Sequence, residues 1–526
     1  MSCARSSSRE AASTSRSTTS PCRDDVTKST QTTGPAAPKL RLGGGDGWGY
    51  APAPESTDHV ELRGRYGLFI DGEFVDAKGG RTFETANPAT EEKIADVALA
   101  SDADVDAAVA AARRAYDEVW SQLAPRERGK YVYRIARVLQ ERSRELAITE
   151  SLDGGKPIRE SRDVDIPLAA AHFFYYAGWA DKLDYAFPGR DARPLGVAGQ
   201  VIPWNFPLLM AAWKIAPAIA AGNTVVLKPA ETTPLTALKL AEIIRDAGVP
   251  PGVVNIVTGA GETGAAVVQH EDVDKVAFTG STEVGKLIRR ALAGSGKHYT
   301  LELGGKAANL VFEDAAVDQA VEGIVNGIFF NQGHVCCAGS RLLVQESVAE
   351  EVISKLKDRM ETLIVGDPLD KNTDIGAINS RAQLDKIEEY LEIGEAEGAE
   401  PFQTSCPVPE RGYWCRPTLF LRASQSHRVV QEEIFGPVLA VQTFRTVDEG
   451  IAMANNTPYG LSGGVWSDKG AKAFRVTSRI RAGVLWANTY NKFDPTAPFG
   501  GYKESGIGRE GGLAGLHAYL QPEAAA

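Results

Sequence analysis

Thr224-Val-Val-Leu-Lys-Pro-Ala-Glu231 decides the fold, because a short run of apolar and β-branched residues ends there in a lysine, a proline and an acid. Thr233 follows as the expected N-cap of a helix with Pro234 at its first position. Leu235, Leu238 and Ile244 line one side of that helix, and Gly248 and Pro250 stop it. Val253–Val257 is the next expected strand. Moving outward, Val197–Ile202, Val276–Phe278, Thr300–Leu303 and Ala308–Phe312 repeat the pattern of short apolar strands separated by helical stretches. Such alternation predicts a parallel, doubly wound sheet with ligands at the carboxyl ends of its strands. A second alternating stretch from about 340 to 500 predicts another α/β unit.

The rest of the chain is consistent with this. Its 526 residues exceed the usual single-domain range. Gly67–Phe74 reads as a hairpin around the Asp71-Gly72 pair. Ser101 reads as a helix cap with Asp104 as its partner. The stripe behind it is Val105, Ala108, Val109, Ala112, Tyr116 and Val119. Residues 1–60 are rich in Ser, Thr, Arg, Gly and Pro and read as a disordered tail. Three arginines and one acid in the first twenty residues are faintly like a transit peptide, but a dispensable extension fits better. The net charge of -11 argues against nucleic-acid or anionic-membrane binding, and no apolar run is long enough for a membrane helix. Six cysteines without C-x-x-C or metal spacing predict neither a disulfide scaffold nor a metal site, and point to a reducing cytoplasm.

Several segments could carry chemistry. Gly259-Ala-Gly-Glu-Thr-Gly264 is a literal G-x-G-x-x-G, although a plain strand–helix turn explains it better. Gly280 and Ser281 precede a helix N-terminus that could hold a pyrophosphate or simply be capped by the serine. Lys228 and Glu231 are a ribose-binding pair or a solvated ion pair. A carboxylate at the 2′-hydroxyl would favour NAD over NADP. Glu302, inside an apolar strand ending in Gly304-Gly305, is poised for desolvation and a raised pKa. Cys336, in a turn of small residues, is a nucleophile or a buried small hydrophobe.

Eight stretches in order resemble the aldehyde dehydrogenase superfamily. They are Pro203-Trp-Asn-Phe-Pro207, Lys228–Glu231, Phe278–Ser281, Leu301-Glu-Leu-Gly-Gly-Lys306, Asn331–Arg341, Glu432–Pro437, Asn455–Gly460 and Pro498–Lys503. The resemblance implies two doubly wound α/β domains, NAD-binding (61–175 and 195–303) and catalytic (304–510), with a small β-extension for oligomerisation (176–194 and 511–526). It implies Cys336 as nucleophile, Glu302 as base, Asn205 and the Cys336 N–H as oxyanion donors, and Lys214 as a proton relay. Trp204, Lys228, Glu231, Gly280, Ser281, Glu433 and Phe435 would hold NAD, and the Gly259–Gly264 loop would border its adenine end. By the same analogy Phe206, Met210, Trp213, Val335, Cys337 and Phe493 line an aldehyde tunnel, with Lys492 and Asp494 as a polar rim. Implied partners are a small-molecule aldehyde and a second copy of the chain in a homodimer or higher oligomer. The alternatives are CoA-dependent acylation and a non-catalytic scaffold.

The chain departs from the family in three places. His334 replaces the usual glutamine, as an influence on the thiol or as a loop contact. Pro522 and the short C-terminus put the terminal strand that pairs across subunits in doubt. The long N-terminal tail has no counterpart. The Cys336 segment also resembles a branch in which two such domains share one polypeptide. This chain carries one copy, leaving a complex with a related protein open.

Overall fold

The computed structural model describes residues 51–188 and 190–524. Residues 1–50 of the expected tail, with Cys3 and Cys22, lie outside the described residues. The remainder of that expected tail is not loose. Glu55 is buried and ion-paired to Arg144 and, at 3.1 Å, to Lys371, and its N–H donates to the Leu369 carbonyl. Composition could not reveal this, because the partners lie far along the chain.

Two large sheets organise the fold. The first runs Gly506–Ile507, His298–Glu302, Lys275–Thr279, Val197–Val201, Thr224–Lys228, Val254–Ile256, Leu68–Ile70, Glu73–Val75. Its five central strands are parallel. Their order, with the earliest strand in the middle, creates a switch point between Val197–Val201 and Lys275–Thr279. The second sheet runs Glu400–Gln403, Thr418–Leu421, Val438–Phe444, Arg341–Gln345, Ala308–Val311, Ser462–Trp466, Val484–Ala487, parallel except at its first pair. Gly506–Ile507, which the sequence reading places with the second unit, pairs instead with His298–Glu302 of the first sheet.

The expected local signals mostly act as the sequence predicts, with instructive shifts. Asp71 and Gly72 both take positive φ between the hairpin strands Leu68–Ile70 and Glu73–Val75. Asp104 accepts the Ser101 N–H at 2.8 Å and caps the helix Asp102–Ala115. A π-turn over Tyr116–Trp120 then adds a residue to that helix's path. Trp120 is buried as a result, and Val119, expected in the stripe, is exposed. The helix expected to start at Pro234 covers Leu235–Asp246 with Pro234 as its cap residue. Thr233 does not cap it. The Leu235 N–H is taken at 2.9 Å by the buried Asp153 carboxylate, a tertiary contact that outbids the local hydroxyl.

The chain end forms a small β-extension. Leu520–Ala524 forms a strand antiparallel to Arg190–Pro194, with Pro522 opposite Ala192. A two-stranded ribbon has only edge strands, where a missing N–H is tolerated.

Candidate active site

The loops leaving the switch point build one side of a cleft. After Val197–Val201 the chain passes through Trp204 and Asn205 into the buried helix Pro207–Ala221. After Lys275–Thr279 it turns at Gly280, whose N–H donates to the Glu302 carbonyl at 3.0 Å. A Cβ at Gly280 would lie 2.5 Å from the end of the Phe278 ring, so a side chain at this turn would have to displace that ring. Ser281 then caps the helix Thr282–Ala291, accepting the Val284 N–H at 3.2 Å. Thus the capping alternative for Ser281 is realised, and it leaves the helix N-terminus facing the cleft that Gly280 and Ser281 line.

The Cys336 loop closes the other side. It follows the helix Val317–Phe329 through three left-handed residues, Asn331, Gln332 and Gly333. Two non-glycine residues in this region store strain of about 1–3 kcal/mol each unless held from outside. Buried groups hold them. Glu160 accepts the Asn331 N–H at 2.8 Å, the Asn331 amide donates to the Asn205 carbonyl at 2.8 Å, and the Gln332 amide donates to the Ala377 carbonyl at 2.9 Å. Beyond them the Cys337 carbonyl accepts the Tyr490 hydroxyl at 2.8 Å and the Ser462 hydroxyl at 3.1 Å. Cys337 is buried, whereas Cys336 is partly exposed and lines the cleft. The four described cysteines are all free thiols.

The glycine pair after Glu302 explains how these parts approach one another. A Cβ at Gly304 would fall 2.3 Å from a Glu433 oxygen, and one at Gly305 would fall 2.4 Å from the Cys336 carbonyl. The Gly305 N–H donates to Glu433 at 2.9 Å. One strand end therefore touches both the thiol loop and the Glu433 carboxylate.

Of the expected site residues, Trp204, Asn205, Gly280, Ser281, Glu302, Cys336, Glu433 and Phe435 line this cleft together. So do all six expected tunnel residues, Phe206, Met210, Trp213, Val335, Cys337 and Phe493; Lys492 and Asp494 are not among the lining residues. Lys214 does not reach the cleft directly. It is fully buried and grips both oxygens of Glu510 at 2.5 and 2.6 Å, and Glu510 lines the cleft. Lys228 and Glu231 stand apart as a pair at 3.1 Å, the lysine buried and the acid half exposed. Gly264, at the end of the glycine-rich loop, lies beside the Lys228 side chain.

The electrostatics are uneven. Glu302 is 4% exposed and neither oxygen has a hydrogen-bond partner. Burial, reinforced by the negative Glu510, pushes its pKa well up, with Lys214 opposing. The Cys336 thiol is also raised, by its contact with Cys337 and by burial. Burial lowers His334 to about 3, with Lys156 adding to the effect, so its ring is neutral. That ring packs edge-on against Trp204 at 4.7 Å and parallel to Phe435 at 5.8 Å. It supplies no cation to the thiol. The Asn205 amide gives one N–H to the His334 carbonyl at 2.7 Å; its second N–H remains available to a ligand.

Three contributors escape sequence reasoning. Glu510 sits in a glycine-rich run that reads as loop; its only signal was Lys214, a cation inside an apolar helix that needs a counter-charge. Gln383 and Lys386 line the cleft from the helix Arg381–Ala396. The Gln383 amide donates to the Ile434 and Phe435 carbonyls at 3.1 and 2.9 Å, holding Phe435 at a φ of 61°.

The arrangement suits a dinucleotide. A helix N-terminus and a glycine without room for a Cβ lie at the switch point, and the Lys228–Glu231 pair ends a neighbouring strand. Among the described residues no cluster of three His, Cys, Asp or Glu could hold a metal, and no helix is long and apolar enough to cross a membrane.

Comparison with known proteins agrees. The sequence profile of the aldehyde dehydrogenase family matches residues 74–525. The chain is 47% identical over 471 residues to a putative aldehyde dehydrogenase, DhaS, of Bacillus subtilis, covering 88% of this chain and 95% of that one. It is 45% identical over 481 residues to human retinal dehydrogenase 2, covering 89% and 92%. An NAD+ complex of the Bacillus cereus aldehyde dehydrogenase superimposes with a TM-score of 0.86 at 43% identity, covering 90% and 98%. With the thiol, the buried acid and the switch-point cleft in one place, and with this match along nearly its whole described length, the chain belongs to the aldehyde dehydrogenase family.

Proposed function

We propose that the protein is an NAD-dependent aldehyde dehydrogenase of the hydrolytic type. The observation that carries this is the convergence of Cys336, Glu302 and Asn205 on one cleft that continues to the switch point. Cys336 gives up its proton to water and attacks the aldehyde carbon as thiolate, forming a carbon–sulfur bond. The resulting oxyanion accepts the free N–H of Asn205 and the Cys336 backbone N–H, each such donor worth on the order of 3 kcal/mol. NAD, when bound, would supply the hydride acceptor as the carbonyl is restored and a thioester is left on Cys336. Glu302 then takes a proton from water as that water attacks, the carbon–sulfur bond breaks, and the carboxylate leaves. Lys214 relays the proton onward through Glu510. Ionised Glu302 and the thiolate are both unfavourable in the resting cleft, so neither reacts prematurely.

Trp204, Gly280, Ser281, Lys228, Glu231, Glu433 and Phe435 would hold the dinucleotide. Glu231, half exposed at its strand end, would repel a 2′-phosphate, which supports NAD over NADP. The NAD+ in the Bacillus cereus structure supports the same assignment. Residues 61–175 and 195–303 would serve as the NAD-binding domain, and 304–510, apart from the Gly506–Ile507 strand that joins the first sheet, as the catalytic domain. The ribbon of Arg190–Pro194 and Leu520–Ala524 offers free edges to a second copy, and a homodimer in the cytoplasm is the assembly we favour.

CoA-dependent acylation is the competing reading, and a partnerless buried base at Glu302 favours water as the resolving group. Purified protein with NAD and an aldehyde is expected to release free acid and NADH at the same rate with or without CoA. Strict dependence on CoA would overturn the hydrolytic reading. Failure to oxidise any of a broad aldehyde panel would favour a non-catalytic scaffold.

A further inference from the structure

We infer that the aldehydes this cleft accepts carry uncharged, apolar substituents, and that it rejects cationic and anionic aldehydes alike. The inference rests on the aldehyde-oxidising reading of the same cleft. Beside Cys336 the wall is hydrocarbon, with Leu168, Leu209, Met210 and Phe493 among its members. An anionic substituent would need a free basic partner. The one basic side chain lining the cleft is Lys386, which lies beside Gln383 on the helix that supports Phe435, at the far end from the tunnel. Lys214 and Lys156, nearby cations outside the lining, are committed to Glu510 and to Asp165 and Glu150.

A cationic substituent would need either a free carboxylate or an open aromatic face. The carboxylates are spoken for. Asp165 is bonded to Lys156, Glu510 to Lys214 and Glu433 to the Gly305 N–H, and burial of the Glu302 carboxyl disfavours its charged form. The aromatic faces are engaged as well. The Lys156 ammonium lies 4.2 Å from the centroid of the Phe206 ring, and Phe330 stacks on that ring at 6.1 Å. Trp213 packs against the neutral His172 ring at 4.7 Å and Phe499 at 5.5 Å. A cation brought to Phe206 would therefore meet a fixed ammonium. Lys156 cannot withdraw, because it is buried between Asp165 and Glu150. Lys156 is thus a specificity-determining residue that touches no substrate atom: it takes the cation position that an aromatic cage would otherwise offer.

The test is a substrate series on the full chain with saturating NAD, read as NADH absorbance. It compares hexanal and benzaldehyde with trimethylammonioacetaldehyde and 4-oxobutanoate. Because an unpaired buried charge is costly, kcat/KM for the neutral pair is expected to exceed that for either charged aldehyde by about 100-fold or more. A charged aldehyde used as well as the neutral pair would overturn this inference and leave the dehydrogenase reading standing. Oxidation of none of the four would overturn both.

Discussion

The two ends of the cleft are built on opposite rules. At the switch-point end, the expected binding groups have partners: Ser281 with the Val284 N–H, Glu433 with the Gly305 N–H and, apart from the cleft itself, Lys228 with Glu231. At the thiol end, Glu302 has none and is buried, and Cys336 sits beside a second thiol that raises its pKa. Binding groups gain from being satisfied in advance, because less order is lost when the ligand arrives. Reacting groups gain from being held in the protonation state that burial enforces, so that the proton moves only when a substrate displaces the balance. The strain of Asn331 and Gln332 belongs to the second rule: Glu160 and Asn331's own amide stabilise a loop that would not hold its shape alone.

Replacing Cys336 by serine is expected to have the largest effect. NADH production would fall by about 10⁴-fold or more while NAD affinity, measured by fluorescence titration, stays within a few-fold. Cys337→Ser would keep much of the activity; if that change were the lethal one, the two cysteines would have to exchange roles. Next comes Glu302→Gln. Steady-state turnover would drop by about 10²–10⁴-fold, but a rapid burst of one NADH per site would survive, because only hydrolysis needs the base. Loss of the burst as well would mean that Glu302 also serves the first half-reaction.

Asn205→Ala is expected to cost on the order of 3 kcal/mol in kcat/KM, about 10²-fold, with circular dichroism and melting checking that the His334 contact is not the whole effect. The smallest expected change is a shift in pH profile. A base works only when deprotonated, so turnover falls as pH drops through the raised Glu302 pKa. Glu510→Gln removes the negative neighbour that raises it and leaves Lys214 without its partner, and both changes ease ionisation. The acid limb of kcat is expected to move to lower pH; a limb that stays or rises would show that Glu510 does not act on Glu302 electrostatically.

Local signals served well where the cause was local. The Asp71-Gly72 turn, the Ser101 cap and the strand Thr224–Lys228 follow from backbone geometry and apolar runs within a few residues. They failed where a distant group intervened. Asp153 took over the cap expected of Thr233, and Glu55 found Arg144 and Lys371 inside what composition reads as tail. His334 is the sharpest case. Its position beside the thiol permits an electrostatic role, yet only its burial between Trp204 and Phe435 shows that it is neutral.

By itself the sequence determined the alternating α/β architecture, because periodicity is a property of the chain alone, and the resemblance carried by its eight motifs singled out the thiol, acid and amide as candidates. Tertiary structure decided which charges are free and which are paired. Lys214 with Glu510, Lys156 with Asp165, and Glu302 with nothing are facts about neighbours up to 296 residues apart, and the solvation that sets each pKa exists only once those neighbours exclude water.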